Sequence, residues 1–166
     1  MTTPHAPFNI LFLCTGNSAR SILAEGLMNH LGAGRFHAYS AGSQPMGRVN
    51  PLALETLATL GCATEGYASK SWDVFAAPDA PTMDFVITVC DSAAGEACPY
   101  WPGAPVTAHW GFPDPSHVEG DEDDKRAAFL RTAQAITQRL RLLLALPVES
   151  LDRLSLQHHL HQIGEQ

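Results

Sequence analysis

Four short apolar runs along the chain are separated by longer segments in which apolar residues recur every three or four positions. The first run, FNILFLC at residues 8–14, is almost continuously apolar, as expected for a parallel strand buried on both faces. The other strand candidates are RFHAYSAG (35–42), MDFVITVC (83–90) and APVTAHW (104–110). Small or polar residues follow each run, which predicts a loop after each strand.

Helical periodicity fills two of the intervening segments. Leu23, Leu27 and Leu31 are spaced four residues apart and precede Gly32, which predicts a helix from about Ser21 that ends at the glycine. The pair Asn50-Pro51 combines an N-cap residue with a first-turn proline. It predicts a second helix through LALETLATLG.

A longer helix is predicted to begin in acidic residues at about Asp121 and to become basic at Arg139 and Arg141, which matches the helix dipole. Its apolar positions are Phe129, Ala133, Ile136, Leu140 and Leu143. The alternation of strands and helices predicts an α/β fold, a three-layer αβα domain with a parallel sheet.

The composition predicts one domain followed by a short tail. The chain has 166 residues, of which 45% are hydrophobic, and contains no Pro/Gly/Ser-rich linker. The tail, residues 147–166, carries leucines at 151, 154 and 160 together with Ile163. This spacing predicts a helix that packs on the domain or on a partner.

Charge and cysteine usage narrow the functional classes. The formal net charge of −7 disfavours nucleic acid and anionic membranes as partners. The start MTTPHAPFN lacks the basic and apolar regions of a signal peptide, and no apolar stretch approaches the ~18 residues that span a bilayer. We therefore expect a cytoplasmic protein. Its four cysteines then indicate chemistry or burial rather than a disulfide framework.

Three chemically active side chains follow predicted strands. Ligands of parallel α/β sheets bind beyond the carboxyl ends of the strands, where Cys14, Cys90 and Asp114 are expected to lie. The small residues between Cys14 and Arg20 can form a nest of backbone N–H groups for an oxyanion, which Arg20 would clamp. The same N–H groups are expected to lower the pKa of Cys14. A buried structural cysteine near a surface arginine is the alternative for so short a pattern.

Several motifs, in order, resemble the arsenate reductases built on the low-molecular-weight protein tyrosine phosphatase fold. These are CTGNSARS (14–21) with Ala24-Glu25, SAG (40–42), Asn50-Pro51, Ser69-Lys70, VITVCDSAAGEACP (86–99) and HWGFPDP (109–115). The resemblance spans residues 8–146 and implies a four-stranded parallel sheet flanked by helices. It also implies Cys14 as nucleophile, Asp114 as general acid, and an oxyanion site made of Thr15, Gly16, Asn17, Ser18, Ala19, Arg20 and Ser21.

The other cysteines favour reduction over hydrolysis. In thioredoxin-coupled members of this family, a second and a third cysteine carry the oxidation away from the first, and Cys90 and Cys98 match them by resemblance. The expected sequence is attack of Cys14 on arsenate, attack of Cys90 on the Cys14 sulfur with release of arsenite, and transfer of the disulfide to Cys98. No bound cofactor is implied, and the reductant would be thioredoxin or glutathione with a glutaredoxin-type partner.

Two alternatives stay open. A phosphatase would need only Cys14, Arg20 and Asp114, but DPSHVEG (114–120) supplies no aromatic wall for a phosphotyrosine and suits a small inorganic oxyanion better. A non-catalytic oxyanion-binding regulatory module is the third hypothesis. Weak hydrolysis of small aryl phosphates would be compatible with the reductase.

Supporting residues are also implied by the resemblance. Some relatives hold a potassium ion beside the oxyanion loop with residues that match Asn17, Glu25 and Ser40, plus a carboxylate. Lys70 stands where that carboxylate would be, so we expect activity that does not depend on potassium. Cys62 is expected to be a packed thiol. The tail histidines (His158, His159 and His161) are not expected to form a metal site.

Overall fold

The computed structural model describes residues 7–90 and 103–165. Within these ranges one sheet contains parallel strands in the order β2–β1–β3–β4. The strands are β1 (Phe8–Cys14), β2 (Phe36–Gly42), β3 (Phe85–Thr88) and β4 (Val106–His109). The helices are α1 (Arg20–Leu31), α2 (Pro51–Thr59), α3 (Asp73–Ala76), α4 (Glu122–Leu144) and α5 (Arg153–Gly164).

The strand register brings the functional loops to one edge of the sheet. Cys14 at the end of β1 pairs with Gly42 at the end of β2. Thr88 at the end of β3 pairs with Leu13 on one side and with His109 at the end of β4 on the other. The chain segments that follow these strands therefore leave the sheet side by side, as expected for a parallel α/β sheet.

Two apolar clusters cover the two faces of the sheet. The larger one joins strand residues such as Ile10 and Phe12 to buried residues of α1, α2, α4 and α5. The smaller one lies on the opposite face, where Leu11 and Leu13 meet Trp72 and Phe75 around α3. The three-layer αβα architecture predicted from the hydrophobic pattern is confirmed.

Helix starts follow from local capping chemistry. Asn50 Oδ1 accepts a hydrogen bond from the N–H of Leu52 at 2.9 Å, with Pro51 in the first turn. Asp121 and Asp124 form a reciprocal capping box at the start of α4. Both starts agree with the sequence analysis, because a cap depends on a few neighbouring residues.

The C-terminal helix packs on the sheet at β4. Leu156, Leu160 and Ile163 are buried in the larger cluster, and Trp110 Nε1 donates to the carbonyl of Leu160 at 2.9 Å. Leu154, predicted to share the packed face, is instead 82% exposed. The buried residues are spaced by four and three positions, which places Leu154 on the opposite side of the helix. Among the described helices, none is long and apolar enough to cross a membrane.

Candidate active site

The loop that follows β1 is shaped by hydrogen bonds to its carbonyl groups. The carbonyls of Thr15, Gly16 and Ser18 accept hydrogen bonds, each at 2.9 Å, from the backbone N–H groups of residues 44, 46 and 50, in that order. In a trans peptide the next N–H points away from the carbonyl. The N–H groups of residues 16, 17 and 19 therefore point to the other side of the loop, as the predicted anion nest requires.

Asn17 fixes the turn within this loop. Its backbone has a φ of 46°, in the left-handed region that non-glycine residues rarely adopt. Its side chain is fully buried, with Nδ2 donating to Ser21 Oγ at 2.8 Å and to Ser40 Oγ at 3.0 Å, while Oδ1 accepts from the N–H of Lys70 at 2.9 Å. These bonds compensate for the unfavourable conformation and connect the loop to β2 and to residue 70.

Gly42 lets β2 end against this loop. A Cβ atom at position 42 would lie 2.4 Å from the carbonyl oxygen of Thr15 and 3.0 Å from the backbone nitrogen of Asn17. Both distances are shorter than ordinary van der Waals contact. Only glycine therefore allows the close approach of strand and loop seen here.

The structure brings the thiols of Cys14 and Cys90 together at the base of the loop. Cys14 is 3% exposed and Cys90 1% exposed. They lie close enough for Cys90 to change the pKa of Cys14. Cys90 Sγ also accepts from the N–H of Thr15 at 3.2 Å, and Cys14 Sγ lies 3.1 Å from Ser21 Oγ. Cys98 lies outside the described residues, so its predicted position is not tested.

The expected direction of the Cys14 pKa shift was wrong. The interaction of its thiol with Cys90 and then desolvation by burial raise the pKa of Cys14 well above its usual value. Hydrogen bonds with the hydroxyl and N–H of Ser21 lower the pKa of Cys14, but their effect is smaller. The sequence pattern revealed the stabilising donors, whereas the neighbouring thiol is a tertiary contact.

Arg20 and Asp114 face each other across the cleft. Arg20 Nη1 donates to the carbonyl of Phe112 at 2.8 Å, and Nη2 lies 3.5 Å from Asp114 Oδ2. The N–H and hydroxyl of Ser116 donate to Asp114 Oδ1 at 2.9 and 2.6 Å. Burial acts to raise the pKa of Asp114, but Ser116, Arg20 and His117 together lower it. The lowered pKa of Asp114 favours its carboxylate form.

These groups surround a single cleft with a volume of about 590 Å³. It is bordered by Cys14, Thr15, Gly16, Ser18, Ala19, Arg20, Gln44, Met46, Asn50, Asp114, Ser116 and His117. The predicted nucleophile, clamping arginine and general acid thus line one cleft. The arrangement can bind a tetrahedral oxyanion and place it beside a thiol.

The predicted supporting residues meet behind the loop. Ser40 Oγ donates to Glu25 Oε1 at 2.5 Å and receives a hydrogen bond from Asn17. Burial raises the pKa of Glu25 against the opposing effects of Ser40 and of the Lys70 charge. Burial lowers the pKa of Lys70, and Glu25 opposes that shift. Lys70 thus supplies a positive charge to the cluster that contains Asn17, Glu25 and Ser40.

Two features of the site were missed by the sequence analysis. The carbonyl of Phe112 holds Arg20, and Arg139, interpreted only as a charge near the end of a helix, contacts both Gly111 and Phe112. Neither contact has a signal in the sequence, because the partners are far apart along the chain. Among the described residues, no group of three or more His, Cys, Asp or Glu side chains is arranged to hold a metal ion.

Comparison with known proteins agrees with this geometry. Residues 9–156 match the family model of the low molecular weight phosphotyrosine protein phosphatases. An arsenate reductase of Bacillus licheniformis is 40% identical over 134 residues, and the match covers 80% of this chain and 91% of the relative. An arsenate reductase of Bacillus subtilis is 36% identical over 132 residues, with the same two coverages.

A solved structure described as an arsenate reductase in the phosphate binding state has a TM-score of 0.64 at 26% identity. The match covers 83% of this chain and 97% of the chain in that structure. The implied four-stranded parallel sheet is thus confirmed together with the family resemblance. The chain belongs to the low molecular weight phosphotyrosine protein phosphatase family, among that family's arsenate reductases.

Proposed function

We propose that the protein reduces arsenate to arsenite with Cys14 as the nucleophile, and that the oxidation passes through Cys90 to Cys98. The observation that supports this most directly is the buried contact between the thiols of Cys14 and Cys90. Hydrolysis of a phosphomonoester would need no second thiol there. Reduction needs one, because two sulfur atoms must give up the two electrons that arsenic receives.

Arsenate binds first, in the cleft above Cys14. Backbone N–H groups of the 14–21 loop donate to its oxygens, and Arg20 adds charge-assisted hydrogen bonds. One of the five guanidinium N–H donors is directed to the carbonyl of Phe112, and Nη2 also lies within ion-pair distance of Asp114. We propose that the other N–H groups donate to the substrate.

Cys14 then attacks arsenic and a water molecule leaves. The S–As bond forms as an As–O bond breaks, and the thiol proton together with the arsenate hydroxyl group gives the water. Asp114, whose lowered pKa favours the carboxylate, takes up the proton and passes it to the departing oxygen. Because its raised pKa keeps Cys14 protonated before substrate binds, this proton must be removed for the attacking thiolate to form.

Electron transfer follows when Cys90 attacks the sulfur of Cys14. The S–As bond breaks and leaves its electron pair on arsenic, which is thereby reduced from As(V) to As(III) and departs as arsenite. The Cys14 and Cys90 thiols become a disulfide, and the proton of Cys90 goes to the departing arsenite. The hydrogen bond from the N–H of Thr15 to Cys90 Sγ stabilises the attacking thiolate.

Regeneration requires a third thiol. Cys98 attacks Cys90, which forms a Cys90–Cys98 disulfide and frees Cys14 as a thiolate. An external dithiol or thiol pair then reduces that disulfide. We propose a thioredoxin-type protein as the reductant, with glutathione and a glutaredoxin-type protein as the alternative, and no bound cofactor.

Arsenate-dependent consumption of NADPH tests the proposal. The wild-type protein, Cys90→Ser and the matched control Cys62→Ser would be assayed with thioredoxin and its reductase, and in parallel with glutathione, glutaredoxin and glutathione reductase. We expect Cys90→Ser to abolish turnover in the productive system, while Cys62→Ser stays within about twofold, because Cys62 lies outside the cleft.

Hydrolysis of a small aryl phosphate gives a second readout on the same variants. It uses Cys14, Arg20 and Asp114 but no second thiol, so Cys90→Ser should retain whatever hydrolysis the wild type shows. Undiminished arsenate reduction by Cys90→Ser would contradict the relay. Binding of arsenate without turnover in either reductant system would favour the non-catalytic oxyanion-binding module.

A further inference from the structure

Arg139 lies outside the cleft but contacts the segment that shapes it. This arginine is on α4 and is half-buried. Its Nη1 donates to the carbonyl of Gly111 at 3.1 Å, and its guanidinium carbon lies 4.5 Å from the centre of the Phe112 ring. Two successive residues of the segment between β4 and Asp114 are thus held by one side chain.

The same segment holds Arg20 through the carbonyl of Phe112. Among the described residues it is also anchored by backbone bonds from the N–H of Trp110 to Thr88 at 2.7 Å and from the N–H of Phe112 to Val89 at 3.2 Å, and by the bond from Trp110 Nε1 to the carbonyl of Leu160. The backbone bonds restrain the N–H groups of the segment. Arg139 restrains the carbonyl of Gly111 and the ring of Phe112.

We infer that Arg139 is a positioning residue for oxyanion binding, which acts through Gly111 and Phe112 on the orientation of Arg20. The guanidinium of Arg139 combines a planar stack on an aromatic ring with a directed hydrogen bond, a pair that a lysine ammonium reproduces only in part. Burial lowers the pKa of Arg139, which agrees with a guanidinium drawn into the protein by these contacts. The inference rests on the proposed role of Arg20 as the oxyanion clamp.

Loss of Arg139 should weaken oxyanion binding more than the later thiol steps. Without Arg139, the Phe112 carbonyl is less restricted in position. Arg20 is then less ordered before binding, and ordering it when the anion binds costs free energy. The exchange between Cys14 and Cys90 takes place at the base of the loop, where Thr15 and Ser21 contact the sulfurs. We therefore expect KM for arsenate to rise while kcat changes little.

The experiment compares Arg139→Met, Arg139→Lys and the matched control Arg141→Met, an exposed arginine of the same helix. Inorganic phosphate is the probe, and its affinity is measured by calorimetry without reductant; KM and kcat for arsenate are measured separately. We expect Arg139→Met to weaken phosphate binding about tenfold, equivalent to about 1.4 kcal/mol. Arg139→Lys should lie between this variant and the wild type, and Arg141→Met should bind as the wild type does.

Wild-type phosphate affinity in Arg139→Met would overturn the inference, as would an equal loss in Arg141→Met. If Arg139→Met fails to fold, Arg139→Lys and Phe112→Leu decide the matter: weakened phosphate binding with a folded protein supports the inference, and unchanged binding refutes it. Because phosphate binding needs no electron transfer, an inactive reductase with Arg139-dependent binding would refute the proposed function and leave this inference intact.

Discussion

Gly42→Ala tests whether the close approach of β2 to the oxyanion loop sets the geometry of the site. The new Cβ would lie 2.4 Å from the carbonyl oxygen of Thr15, about 1 Å short of the 3.4 Å at which ordinary contact begins. The obstructing atoms are two backbone atoms of the loop and the Cβ of Asn17, whose position the backbone fixes, so no side-chain rotation can relieve the contact. Either β2 or the loop must move by a comparable distance.

The expected effect on catalysis exceeds the effect on stability. A misplacement of about 1 Å in a catalytic site costs roughly 100-fold in rate, whereas overpacking of this kind costs about 1–3 kcal/mol in unfolding free energy. We therefore expect kcat/KM for arsenate to fall roughly 100-fold, with a parallel loss of phosphate affinity. The melting temperature should fall by about 2–4 °C per kcal/mol.

Gly61→Ala is the matched control. Gly61 has a φ of 79°, and a Cβ added there would meet no atom within 4 Å, so alanine at this position strains the backbone without touching the loop. It should cost about 1–2 kcal/mol in stability and leave kcat/KM within about twofold. Near-wild-type kcat/KM in Gly42→Ala, or an equal catalytic loss in Gly61→Ala, would refute the reasoning.

Two further predictions concern the thiols and the cluster behind the loop. Because contact with Cys90 raises the pKa of Cys14, Cys90→Ala should move the pH midpoint of Cys14 alkylation by iodoacetamide to a lower value. Mass spectrometry of the Cys14 peptide measures the alkylated fraction at each pH. An unchanged or higher midpoint would contradict this assignment. Because Lys70 supplies a positive charge beside Glu25, replacing sodium with potassium at constant ionic strength should leave kcat/KM unchanged, whereas a several-fold increase would show that a potassium site is still used.

Local patterns predicted most of the secondary structure because their causes lie within a few residues. The Asn50 cap, the Asp121 capping box and the continuous apolar run of β1 each depend on neighbours in the chain. The third strand was predicted to reach Cys90, but β3 ends at Thr88. Strand ends depend on pairing with other strands, and β4 pairs with β3 only as far as Thr88 and His109.

The sequence by itself determined which chemical groups are present and that they follow the ends of strands. The motifs place a cysteine, an arginine and an acid directly after apolar runs, and this order along the chain does not depend on how the chain folds. Tertiary structure alone decided how they influence one another. Cys14 and Cys90 are 76 residues apart by number, yet their contact reverses the expected direction of the Cys14 pKa shift. Arg139 and Phe112 meet only because α4 crosses the segment after β4. Burial and long-range contacts set the electrostatic energies of these groups. Local sequence patterns predict neither, because the residues involved are distant along the chain.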